Sequence, residues 1–156
     1  TLNIPYIPID AIMPVGRIKN IQEQTQSKVL INCSSKKCEV QFDIHISNNL
    51  KAEHQTSNSD YFLLQNNHDP IRYILFTSGS TGTPKGVQIT ASALNSFVEW
   101  YLTWPGINHE TIFMNQAPFS FDISLCDFIG TFANGSTLVL NDYSVLKNGD
   151  VFLNRL

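Results

Sequence analysis

The sequence predicts an α/β fold, and three observations carry that expectation. Short β-branched or apolar runs, Lys28–Cys33 and Arg72–Thr77 among them, read as strands. Between them lie segments whose apolar residues recur at helical spacing, Ala93, Leu94, Phe97, Val98, Tyr101 and Leu102 being the clearest. Turn signals such as Pro105-Gly106 and Gly135 separate the two kinds of segment.

In chain order, Thr1–Ile9 is apolar but interrupted by Pro5 and Pro8, which predicts an irregular or edge extended segment. Pro14 suits a first helical turn, and Val15, Ile18 and Ile21 continue a short amphipathic helix to about Gln26. Lys28–Cys33 and Val40–Ile46 are the next expected strands, so that strand, helix and strand in succession suggest a βαβ unit. The asparagine-rich stretch 47–70 reads as a long polar surface connection with one short strand near Tyr61–Leu64. Arg72–Thr77 is a buried strand by composition, and Val87–Ile89 resumes extended structure after a glycine-rich loop. Thr90 is placed to cap the helix that follows. A strand at Thr111–Asn115, a helix over Asp122–Phe132 closed by Gly135, and a strand at Thr137–Leu140 complete the series.

Composition excludes several functional classes. The 156 residues are 42% hydrophobic and 15% charged, with ten basic and thirteen acidic side chains giving a formal charge of −3. That balance, without a basic run, argues against nucleic-acid binding. No apolar run approaches the roughly 20 residues of a membrane-spanning helix, so membrane insertion is not expected. Cys33, Cys38 and Cys126 lack framework or zinc-site spacing and read as reduced thiols of a cytoplasmic protein. His45, His54, His68 and His109 show no spacing for a metal or a triad, so no metal site is assigned. The chain opens on Thr1, and an apolar segment is beginning at Val151–Leu156; the expectation is an excerpt of a longer protein.

The chemistry concentrates between Thr77 and Gly86, a row of hydroxyls with three glycines and Lys85. Glycines let the backbone approach a ligand closely, and successive N–H groups, hydroxyls and a lysine can then hold a polyphosphate. The spacing is not that of a Walker P-loop, because Lys85 follows Gly82 by three residues and precedes Gly86. On glycine content alone a plain turn between strands is an equally good reading.

The order Thr77-Ser78-Gly79-Ser80-Thr81-Gly82-Thr83-Pro84-Lys85-Gly86 resembles the phosphate-loop signature of the adenylate-forming enzymes, the AMP-forming acyl and aminoacyl ligases. Upstream, Tyr6-Ile7-Pro8-Ile9-Asp10 with Pro14 and Arg17 is similar to a motif of the amino-acid-activating members. Downstream, Asn115-Gln116-Ala117-Pro118-Phe119-Ser120-Phe121-Asp122-Ile123-Ser124 resembles their Phe-Asp-x-Ser motif. The resemblance is nearest to the D-alanine:D-alanyl carrier protein ligases, with peptide-synthetase adenylation domains as neighbours.

That resemblance implies part of the large N-terminal domain of an adenylate-forming enzyme, with mixed sheets flanked by helices. It implies ATP as substrate, Mg2+ as cofactor, an amino-acid substrate and a phosphopantetheinylated carrier protein as partner. A carboxylate would attack the α-phosphorus, pyrophosphate would leave, and the acyl group would then pass to the carrier thiol. Thr77, Ser78, Gly79, Ser80, Thr81, Gly82, Thr83, Lys85 and Gly86 would bind the ATP phosphates. Asp122 would receive the substrate ammonium, with Ile123 and Cys126 facing the substrate. The bland readings are a helix cap for Asp122, a solvated charge for Lys85 and helix core for Ile123 and Cys126. Asp10 and Arg17 are expected to be structural.

Two departures qualify this picture. Cys126 stands where D-alanine ligases usually carry methionine, whereas Asp127 replaces the glutamate more common in peptide-synthetase domains. The family's downstream motifs, including its catalytic lysine, do not occur in this chain, so no catalytic residue is assigned and the fragment alone is expected to be inactive. The rival readings are a truncated or degenerate nucleotide-binding chain without turnover, and an acyl ligase for a carboxylate other than an amino acid.

Overall fold

The computed structural model describes residues 4–47, 52–54, 68–78 and 82–155. Its elements, in order, are α1 (Val15–Thr25), β1 (Val29–Ile31), β2 (Ile44–Ile46), β3 (Ala52–His54), β4 (Ile71–Thr77), β5 (Lys85–Thr90), α2 (Ala91–Leu102), β6 (Ile112–Met114), α3 (Ser124–Asn134), β7 (Thr137–Val139), α4 (Tyr143–Lys147) and α5 (Gly149–Leu153). Among the described residues three small sheets form: parallel β1 and β2 extended by antiparallel β3, the antiparallel hairpin β4–β5, and the parallel pair β6–β7. The expected α/β class holds, with both strand orientations present.

The βαβ unit does not. Residues 4–10 run beside β4 instead of β1, through a single parallel bridge between Tyr6 and Tyr73. Tyr6 N donates to the Arg72 carbonyl at 3.2 Å and Ile74 N donates to the Tyr6 carbonyl at 3.0 Å. Pro8, the next residue that would face β4, has no N–H to offer, so the ladder does not continue past Tyr6. The β1–β2 crossover is an irregular stretch, residues 32–43, turned by Asn32: its amide donates to the Lys36 carbonyl at 2.7 Å and its oxygen accepts from Ser34. The expected strand over Val40–Ile46 shrinks to Ile44–Ile46 because Gln22 of α1 takes the Gln41 carbonyl at 2.6 Å. β3 falls inside the stretch read as a surface connection, whereas the expected strand at Tyr61–Leu64 lies outside the described residues.

Two helix ends are built as the sequence implies. Thr90 caps α2, its hydroxyl accepting from Ala93 N at 3.4 Å, and Asp69 reinforces the same end by accepting from Ser92 N and Oγ at 2.8 and 2.6 Å. Those bonds hold the Asp69 carboxyl below its usual pKa. Gly135 closes α3 with φ of +67°, a left-handed conformation that glycine enters without steric cost. Helix α4 was not anticipated, although Asp142 caps it through Ser144 N and Val145 N.

The buried apolar set is drawn from most layers: Ile21 on α1, Ile44 on β2, Tyr73 and Leu75 on β4, Tyr101 on α2, Ile129 on α3 and Val145 on α4. Much apolar surface stays outside it. Ile4, Ile112, Ile123 and Phe132 are 65%, 68%, 65% and 77% exposed, well beyond scattered partial exposure. The C-terminal turn of α2 carries an aromatic cluster in which Trp100 meets Trp104 edge-on at 5.1 Å and Tyr101 stacks on Trp104 at 5.7 Å.

Candidate functional site

β4 organises the site. At its C-terminal end Thr77 pairs with Lys85 across the mouth of the glycine-rich loop, so Lys85 and Gly86 belong to β5 and not to the loop. The pairing leaves Gly86 little room: a Cβ there would stand 3.0 Å from Ile74 Cγ2 and 3.1 Å from Phe76 Cζ, so both side chains would have to shift. Gly82 has φ of +80°, which turns the chain back toward β5. Thr77, Ser78, Gly82, Thr83, Lys85 and Gly86 are all exposed at this end, while Gly79, Ser80 and Thr81 lie outside the described residues.

Further back along β4, Tyr73 faces a groove of about 400 Å³ between β4, α2 and the start of α3. Its lining includes Asp122, Ile123 and Cys126 together, along with Phe97 and Leu94. The three residues assigned to the amino-acid substrate therefore share one concavity. A larger groove of about 810 Å³ lies beside it, lined by Ile4, Phe119, Phe128 and Phe132 and holding none of the assigned residues. The smaller groove, with its carboxylate and thiol, is the better candidate on chemistry.

Asp122 is not the cap of α3. The helix begins at Ser124 after a tight turn in which Ser124 N donates to the Phe121 carbonyl and Leu125 N to the Asp122 carbonyl. The Asp122 carboxylate accepts from Ile123 N at 2.8 Å and is otherwise directed to solvent and the groove edge. Burial raises the Cys126 thiol pKa, and the Asp127 and Asp122 carboxylates raise it further, so the thiol is a neutral wall at ordinary pH.

The first motif braces the other two. Asp10 accepts a hydrogen bond from Ser120 Oγ, joining residues far apart in sequence. Arg17 Nη2 donates to the Phe76 carbonyl at 3.2 Å. Asn115, part of the downstream motif but without an expected role, is 4% exposed. Its side-chain amide donates to Ala117 O at 3.0 Å and Asp127 Oδ2 at 3.2 Å, and its backbone carbonyl accepts from Asn141 Nδ2 at 2.9 Å. Tyr73 was likewise passed over, since a tyrosine inside an apolar strand carries no functional signal of its own.

Burial, then the Tyr6 phenol and the Asp122 carboxylate, push the Tyr73 pKa up to about 12 from the ordinary 10.0. A pKa raised by folding means that stability is intact below the unfolded value and is lost as pH rises toward the folded one. Denaturant midpoints should therefore fall between pH 10 and about 12, and Tyr73→Phe should fall less over that interval.

The family model described as AMP-binding enzyme matches residues 1–154. The chain belongs to the AMP-binding enzyme family. It is 36% identical over 138 residues to a D-alanine--D-alanyl carrier protein ligase of Bacillus anthracis (strain CDC 684 / NRRL 3495), covering 85% of this chain and 27% of that protein. A protein of the same name from Bacillus cereus (strain AH820) is 34% identical over 146 residues, again covering 85% and 27%. The chain thus spans about a quarter of the length of the curated relatives it matches.

Solved structures share the fold. CmiS6 matches with a TM-score of 0.82 at 22% identity, over 98% of this chain and 37% of that one. IdnL1 matches at 0.83 and 21%, over 98% and 31%. The N-terminal subdomain of Klebsiella oxytoca NpsA, solved with 3-hydroxybenzoyl-AMSN, matches at 0.62 and 22%, over 86% and 34%. Among the described residues no helix is long and apolar enough to cross a membrane, and the three cysteines are free. No three His, Cys, Asp or Glu side chains among them cluster to hold a metal. A magnesium ion arriving with ATP would need only one or two protein carboxylates beside the substrate phosphates.

Proposed function

We propose that the chain is the phosphate-loop and substrate-pocket portion of a longer ligase that activates an amino acid with ATP and passes it to a carrier-protein thiol. The observation that supports this reading is the arrangement along β4. Its end enters the glycine-rich loop opposite Lys85 of β5, and four residues earlier Tyr73 borders the groove that holds Asp122. Four residues of strand span about 13 Å, a separation suited to an ammonium at one end and terminal phosphates at the other. Asp122 would pair with the ammonium, with Ile123 and Cys126 bounding the side chain. Thr77–Thr83, Lys85 and Gly86 would hold the β- and γ-phosphates while the carboxylate attacks the α-phosphorus and pyrophosphate departs.

D-alanine is the first amino acid to test, from the names of the relatives. The exposed apolar side chains Ile4, Ile112 and Phe132 fit a chain whose remaining domain surface is supplied by the rest of the ligase. Amino-acid-dependent pyrophosphate exchange by the full-length ligase tests the reading; exchange with none of the amino acids, D-alanine included, would refute it. In that enzyme Lys85→Ala should weaken ATP binding by about 1.5–3 kcal/mol, the worth of one charge-assisted phosphate contact. Titrating ATP in the exchange assay measures it, and unchanged ATP kinetics would remove Lys85 from the site.

A further inference from the structure

The loop mouth has two rims, and one helix holds both. Arg17 Nη2 donates to the carbonyl of Phe76, the residue before Thr77, and Gln24 Nε2 donates to the carbonyl of Pro84, the residue before Lys85, at 3.1 Å. These two α1 side chains therefore grip the strand that enters the loop and the strand that leaves it. Helix α1 is itself fixed to β4, because the segment leading into it is bonded through Tyr6 to Arg72 and Ile74, and Asp10 is tied to Ser120. The guanidinium is not placed for packing. Its Nε is buried without a partner, a cost to stability that an apolar side chain of similar length would avoid. What the arginine supplies is the directed bond to Phe76.

We propose that Arg17 and Gln24 are positioning residues for phosphate binding, setting the gap between Phe76 and Pro84 and hence the placement of Thr77 and Lys85. Neither touches the nucleotide; both act through backbone carbonyls at the rims. The inference rests on the functional reading above for its kinetic consequence but not for its structural one.

Hydrogen exchange and steady-state kinetics of the full-length enzyme separate the two. In Arg17→Gln and in Gln24→Leu, amide protection should fall at Phe76, Thr77, Lys85 and Gly86, with the β6–β7 amides unchanged. Gln24 is exposed, so its variant leaves the buried set of the fold untouched. The KM for ATP should rise about tenfold in Arg17→Gln, with kcat and the amino-acid KM little changed. Arg17→Lys, which can still donate to Phe76, should restore most of the ATP affinity. Unaltered protection at the rims in both variants would overturn the brace. Lost protection with an unchanged KM for ATP would overturn the positioning role. A wild-type enzyme without exchange activity would instead refute the functional reading, leaving the brace to stand or fall on protection.

Discussion

In the full-length ligase, Asp122→Asn should lower kcat/KM for the amino acid by about 100- to 1,000-fold while ATP affinity and melting temperature barely move. The substitution keeps size and hydrogen-bonding capacity and removes the charge. Ile123 N would still find an oxygen at the position where Asp122 Oδ1 now accepts at 2.8 Å, so the turn before α3 should survive. The walls near the carboxylate are Tyr73, Phe97, Ile123 and Cys126, the phenol and thiol both neutral at ordinary pH, and none is cationic. An ammonium entering this groove would find Asp122 as its only charged partner among the lining residues. A helix-cap role would give a different pattern, with a stability loss of about 1 kcal/mol and both substrates affected through the fold. Measuring exchange, ATP affinity and melting temperature on one variant distinguishes them. A fall in melting temperature alone would remove Asp122 from the pocket.

The second large effect is expected at Gly130. This helical glycine of α3 is buried, and a Cβ built on it would stand 2.6 Å from Phe113 Cε1 and 2.9 Å from Cε2. Alanine is the better helix former by about 1 kcal/mol, so an exposed helical glycine would be stabilised by the change. Here the ring has little room to yield, because Phe113 on β6 also lies against Tyr101 of α2, centroids 6.5 Å apart. Overpacking of this kind costs about 1–3 kcal/mol, more than the propensity gain. Gly130→Ala should therefore lower the denaturation midpoint, and Phe113→Leu in the same chain should recover part of the loss. A stabilised Gly130→Ala variant would show that α3 does not approach β6 this closely.

Local signals in the sequence were read well where one residue type has one physical use. Thr90, Gly135 and Pro14 announced helix ends, and the run Arg72–Thr77 announced the strand observed at Ile71–Thr77, because capping, left-handed backbone and apolar burial are decided within a few residues. Pairing partners were not legible. Nothing in Tyr6 or Lys28 says that the first segment joins β4 while β1 joins β2, since register is set by contacts distant in sequence. The same limit applied to the site. Asp122, Ile123 and Cys126 were named from motif resemblance, and their shared groove is consistent with it. Tyr73, Asn115, Gln24 and Ser120 carry no role legible in the sequence because their significance lies in a partner at another point of the chain, not in their own chemistry.

The hairpin's first strand also behaves as a gauge block. Because Tyr73 and Thr77 sit on one hydrogen-bonded ladder, paired through Ile89 and Lys85, the interval between pocket and loop cannot stretch to suit a guest. A carboxylic acid with one carbon too many between its amine and its carboxylate could still place its ammonium at Asp122, with ATP held at the loop, but its attacking oxygen would overshoot the α-phosphorus. Discrimination between homologous acids would then appear in turnover more than in occupancy, since misalignment penalises the reacting geometry and leaves the end contacts intact. A β-amino acid would accordingly behave as a competitive inhibitor of its α-isomer: bound, charged at the right place, and out of line.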